Sequence, residues 1–171
     1  MASQVMSLPP DQRSTFVTKM HRRGYRIIVV TRRDTLARAV SRLEAARTQR
    51  WRSDAGKTDR APLVITPEEI ESELDFAERS LAFVEDAVRQ LPNIRITYED
   101  DLETPEAQQA TLDRICAELR LPSAKVPSVL PWGGARSMRD RIANHDEVMD
   151  HLRRSRFAAY AEPHAETPPA P

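Results

Sequence analysis

The sequence predicts an α/β fold built from a few parallel strands and several helices. Two largely β-branched runs, the apolar Ile27–Val30 and the strand-like Ile94–Tyr98, each give way to residues at helical spacing: Leu36, Val40 and Leu43 after the first, and Leu112, Ile115, Cys116 and Leu119 after the second. Strands that alternate with helices imply parallel pairing through right-handed connections. Between them lies a long amphipathic segment in which Ile70, Leu74, Ala77, Leu81, Val84, Val88 and Leu91 form one apolar stripe.

Each element has a local cause. Pro9 and Pro10 open a helix running to about Arg23, with Phe16, Val17 and Met20 on its apolar side and Gly24 as its stop, since glycine enters the left-handed conformation without a Cβ penalty. Ile27–Val30 is continuous rather than alternating, the pattern of a strand buried on both faces. A helix from Thr35 to about Arg50 follows, then a polar stretch to Ala61. Thr66 is the N-cap of the long helix, with Pro67 in its first turn, Glu69 as capping-box partner and Pro92 just past its end. After the second strand, Thr104 and Pro105 start a helix that stops near Pro122, residues 123–135 form an irregular crossing connection, and Ile142–Leu152 is helical again. The four prolines after Glu162 favour disorder. The organisation is one domain over 1–160 with a disordered Pro-rich tail over 161–171.

With 171 residues, 40% hydrophobic and 30% charged, the chain suits a single modest core and is neither fibrous nor disulfide-built. The one cysteine, Cys116, reads as a small buried hydrophobe beside Ile115 and Leu119. No apolar run approaches a membrane span, and the N-terminus lacks the charged region and long apolar core of a signal peptide, so the expectation is a cytoplasmic protein that does not span a membrane. Charge is unevenly spread: residues 1–60 hold 14 Lys and Arg against 5 Asp and Glu, and residues 61–120 hold 5 against 15. The basic segment serves a polyanionic ligand, or the basic helix simply faces the acidic one or solvent, and the two readings are compatible.

The segment Arg26–Arg42, RIIVVTRRDTLARAVSR, places Arg32, Arg33 and Asp34 where a strand passes into a helix. Free backbone amides and the helix dipole favour an anion at such a junction. Ser41 follows Arg33 by eight residues; taken alone it is either a ligand contact or a small residue packed on the sheet.

This segment resembles sulfotransferases that use 3′-phosphoadenosine 5′-phosphosulfate, in which a strand-end arginine and a serine eight residues on bind the 3′-phosphate. The stretch RRDTLARAVS and the following Ala46–Trp51 are similar to bacterial carbohydrate-type members, IRITYEDDL (Ile94–Leu102) resembles the strand and acidic turn late in the family, and IANHDEVMDHL (Ile142–Leu152), after Arg136, Arg139 and Arg141, resembles its C-terminal N-x-x-E helix. The resemblance covers residues 15–160, about the later two-thirds of a typical member. It implies an incomplete P-loop-NTPase-like sulfotransferase fold, with Arg33 and Ser41 on the 3′-phosphate and Arg136, Arg139 or Arg141 covering the nucleotide. It also implies Trp51 and Arg52 near a carbohydrate or glycolipid acceptor and sulfuryl transfer to a carbohydrate or lipid hydroxyl, with the nucleotide as co-substrate.

The family's phosphosulfate cradle, a Gly/Ser/Thr-rich loop after an initial strand, has no counterpart before Arg26, and no catalytic base is identified. The expectation is that residues 1–171 alone are inactive. The alternative is a truncated or degenerate, non-catalytic nucleotide-binding or interaction protein.

Other motifs lead elsewhere. Gly56-Lys57-Thr58 matches the end of a Walker loop, but the first glycine of that pattern would fall at Trp51 and a helix precedes it where a strand is required. His21, His145, His151 and His164 show no metal-ligand spacing, so no metal is expected; the expected partners include no nucleic acid. Asp100, Asp101 and Glu103 stand at a strand end, where they either fix the turn and cap the next helix or act as acid or base.

Overall fold

The computed structural model describes residues 10–49, 61–125 and 137–162. It is mixed α/β, mostly helical, with a two-stranded parallel sheet among the described residues. The chain divides into two compact units, residues 1–33 with 78–127 and residues 34–77 with 128–171.

The first unit begins with α1 (Pro10–Arg22) and β1 (Ile27–Thr31). Gly24 at φ +89° ends α1 as its position predicts. Its N–H donates to the His21 carbonyl at 2.9 Å and that of Tyr25 to Met20 at 3.2 Å, the paired bonds that satisfy the last helical carbonyls. β1 pairs in parallel with β2 (Asn93–Thr97), Ile27 opposite Asn93 through Thr31 opposite Thr97. A π-helical turn (Tyr98–Leu102) leads to α4 (Pro105–Leu119), capped where Ala107 N–H donates to Thr104 Oγ1 at 3.1 Å. Thr104, rather than the acidic run, thus caps this helix. Leu112, Ile115, Cys116 and Leu119 share its half-buried face, and Thr111 is its buried residue.

Two expectations are corrected here. β1 is not buried on both faces: Val29 is buried, but Ile28 and Val30 are 42% and 57% exposed, while Ile94 and Ile96 in the same register are buried. β1 has one hydrogen-bonded neighbour among the described residues, and a continuous apolar run does not distinguish an edge strand from a central one. The long helix α3 (Pro67–Val88) also carries Leu81 at 42% exposure. Its buried residues in this unit are Ser80, Ala87 and Val88; Leu81 lies seven residues before Val88, at nearly the same angular position on the helix, but is not covered there.

The second unit contains α2 (Thr35–Thr48), the first half of α3, α5 (Met138–Arg141), α6 (His145–Arg154) and a 3-10 turn (Ala158–Tyr160). Asp34 caps α2, accepting from Ala37 N–H at 2.7 Å. The capping box of α3 forms as read from the sequence: Glu69 N–H donates to Thr66 Oγ1 at 3.3 Å and Thr66 N–H to Glu69 Oε2 at 2.9 Å. Val40, Ile65, Ile70, Leu74, Ile142, Val148, Leu152 and Phe157 are the largest fully buried residues of this unit's core. The C-terminal helical region starts at Met138, and Ile142 is not helical but bridges Leu63, with Leu63 N–H donating to Arg141 O at 2.8 Å and Ala143 N–H to Leu63 O at 2.7 Å.

The charge asymmetry is partly consumed inside this unit. Arg42 pairs with Glu73 at 2.7 Å while lying 4.4 Å from the Phe76 ring centroid, and Arg47 binds both oxygens of Glu69 at 2.7 Å. His151 meets Glu71 at 2.8 Å, and Arg156 pairs with Asp75. The acidic α3 is therefore the counterion of Arg42 and Arg47 from the basic first third and of His151 and Arg156 from the C-terminal segment.

Candidate functional site

In the first unit the parallel register sets the ends of β1 and β2 side by side, so the basic turn after one meets the acidic turn after the other. Arg33 N–H donates to Glu99 Oε2 at 2.9 Å, and its guanidinium donates to Asp100 Oδ2. Arg32 Nε lies 3.5 Å from Glu99 Oε1, with its guanidinium 4.7 Å from the Tyr98 ring centroid. A carboxylate thus takes the backbone amide that an anion would take. The hydrogen bond to Asp100, then its charge, raises the Arg33 pKa, yet at 65% exposure the pair is solvent-screened and weak.

Asp101 holds this turn together. It accepts from Thr97 N–H at 2.6 Å, from Thr111 Oγ1 at 3.2 Å and from Arg114 Nη2 at 2.9 Å. The Thr97 amide is the main reason its carboxyl stays below the usual range. Every one of these bonds stabilises the ionised form, which suits a structural anchor and not a proton donor.

In the second unit Ser41 and Arg141 meet. Arg141 Nη2 donates to Ser41 Oγ at 2.9 Å across 100 residues of sequence, while Ser41 donates to the Ala37 carbonyl at 2.8 Å. Arg141 Nε and Nη2 also reach Glu44 Oε1 and Oε2 at 3.2 and 3.1 Å, and the two side chains are only 12% and 13% exposed. Arg139 does not join them. It is 68% exposed and paired with Asp146 at 2.6 Å, beside an open depression of about 340 Å³ that Ile142, Asn144, His145 and Glu147 also line. The hydrogen bond from His145, then that from Arg139, holds the Asp146 carboxyl below the usual range.

The Asn144–Glu147 pattern acquires a structural meaning. Asn144 Oδ1 accepts from Ile65 N–H at 3.0 Å, and its Nδ2 donates to Ile65 O at 2.9 Å and to Glu147 Oε2 at 3.1 Å. The amide extends the Leu63–Ile142 bridge by copying a backbone pair.

Of the residues picked from the sequence, Ser41 and Arg141 are brought together, Arg139 stands apart, and Arg33 belongs to the first unit. Arg136, Trp51, Arg52 and Gly56-Lys57-Thr58 lie outside the described residues. Sequence reasoning missed Glu44 and Glu99. Glu44 was signalled by its position three residues after Ser41, on the same helical face.

No protein-family model, curated protein or solved structure gives a significant match to the chain. Among the described residues, no group of three or more His, Cys, Asp and Glu could hold a metal, and no helix is long and apolar enough to cross a membrane.

Proposed function

We propose that the chain is a sulfotransferase-like protein that binds 3′-phosphoadenosine 5′-phosphosulfate, with Ser41 and Arg141 contacting the nucleotide's phosphate. The observation that carries this reading is their 2.9 Å contact: the sequence resemblance assigns two residues from distant segments to one nucleotide, and they touch. Arg33 enters by the resemblance alone, as do Arg136 and the acceptor residues Trp51 and Arg52. The family reaction is in-line attack of a carbohydrate or lipid hydroxyl on sulfur, in which positioning and stabilisation of developing charge carry the rate.

A second reading, a non-catalytic nucleotide-binding or interaction protein, is favoured by the carboxylates on Arg33 and Arg141. Thermal denaturation with ligand tests the nucleotide site common to both nucleotide-binding readings. Adenosine 3′,5′-bisphosphate should raise Tm and adenosine 5′-monophosphate much less, because a ligand that binds only the folded state stabilises it. Equal shifts would refute the assignment.

A further inference from the structure

Arg141 carries two donor edges suited to a bidentate anion, and Glu44 occupies the one formed by Nε and Nη2. Ser41 has a single hydroxyl proton, and it is directed to the Ala37 carbonyl. An incoming phosphate therefore meets an arginine whose charge is already balanced and a serine that offers lone pairs where a proton is needed. Glu44 and Ser41 sit three apart on α2, so the carboxylate is fixed beside the hydroxyl by the same helical turn. The pair is only 12% and 13% exposed, so water screens it far less than the exposed pair at Arg33.

We infer that Glu44 is an internal competitor for the anion at Arg141 and Ser41, so that this site accepts a ligand only by exchanging the carboxylate for a group of higher charge. The inference rests on the nucleotide reading and adds its regulation. A phosphate monoester dianion outcompetes a single carboxylate charge, whereas a monoanionic phosphodiester does not. Binding releases Glu44 from Arg141, and Ser41 turns its proton from Ala37 to the phosphate.

The test uses the full chain, its Glu44→Gln variant and a Glu44→Gln/Arg141→Gln double variant, titrated with inorganic phosphate and with adenosine 3′,5′-bisphosphate. Glu44→Gln should bind phosphate about tenfold more tightly than wild type, and the double variant should lose that gain. Phosphate bound no more tightly by Glu44→Gln overturns the inference and leaves the pair as a tie between α2 and the C-terminal segment. Because removing one member of a largely buried pair lowers stability, melting is read in parallel in phosphate and in chloride at matched ionic strength. Phosphate should raise the Tm of Glu44→Gln more than that of wild type, and equal rises overturn the proposal. The two claims fail separately: if Glu44→Gln gains phosphate affinity but neither protein prefers the bisphosphate over adenosine 5′-monophosphate, the nucleotide reading falls and the competitor role stands.

Discussion

Replacing Asn144 with alanine should be among the most damaging single changes in the second unit, although the residue is neither apolar nor in a helix interior. Its side-chain amide gives Ile65 both of its backbone partners, at 3.0 and 2.9 Å, and Ile65 is fully buried. Alanine leaves a buried N–H and a buried C=O without them. Each unsatisfied buried group costs about 1–3 kcal/mol, and partial access of water to the vacated space reduces the sum, so the expected loss is about 2–4 kcal/mol. Loss of helix capping does not confuse the result, because Asn144 makes no side-chain capping bond to α6. Asn144→Asp is a sharper probe. It keeps the acceptor for Ile65 N–H but sets a carboxylate against the Ile65 carbonyl and Glu147, so it should lose at least as much as alanine at neutral pH. Urea titration followed by far-UV circular dichroism measures both. A loss below about 0.5 kcal/mol for either would mean that the Leu63–Ile65 segment is held by its own packing and that the amide bridge is incidental.

Leu74→Ala, at a fully buried position, should cost about 2–5 kcal/mol, whereas Leu81→Ala, at 42% exposure, should cost less than half as much; equal losses in denaturant titration would contradict the burial pattern of α3. The folded-state pKa values of Asp101 and Glu69 are depressed, so the unfolded chain binds more protons. Stability should therefore be complete above about pH 5 and fall as pH drops below the unfolded values of about 3.9 and 4.3. Asp101→Asn and Glu69→Gln should flatten that slope, and a slope unchanged in both would refute the anchoring role. Given the sulfate donor and a panel of sugar and glycolipid acceptors, residues 1–171 should transfer no sulfate above background. Robust, Arg33-dependent transfer would show that these residues contain a phosphosulfate cradle.

Features governed by local chemistry were legible in the sequence. Gly24 ends its helix and Thr66 and Glu69 form their box, because caps and turns depend on a few neighbouring residues. Burial of Ile28, Val30 and Leu81 was misjudged because an apolar residue in a good pattern does not reveal whether a neighbour exists to cover it. The candidate site divides in the same way. Ser41 and Arg141 could be picked out from their segments, and Glu44 had only its spacing from Ser41 as a signal, whereas the pairings of Glu44 with Arg141 and of Glu99 with Arg33 span 97 and 66 residues, which no local periodicity encodes. The charge imbalance was visible as a sum, and its assignment to α3 required the packing of α2 against named acidic positions.

The central claim, that this chain reads a nucleotide through its phosphate groups, is tested most directly by calorimetric titration of the wild type and of Arg33→Ala, Ser41→Ala and Arg141→Ala with adenosine 3′,5′-bisphosphate and adenosine 5′-monophosphate. Charge-assisted hydrogen bonds to the additional phosphate are each worth about 1.5–3 kcal/mol, so the wild type should prefer the bisphosphate by about tenfold or more. Each substitution should reduce that preference, with the arginines having the larger effect. Equal affinity of the wild type for the two nucleotides, or a preference untouched by all three substitutions, would contradict it.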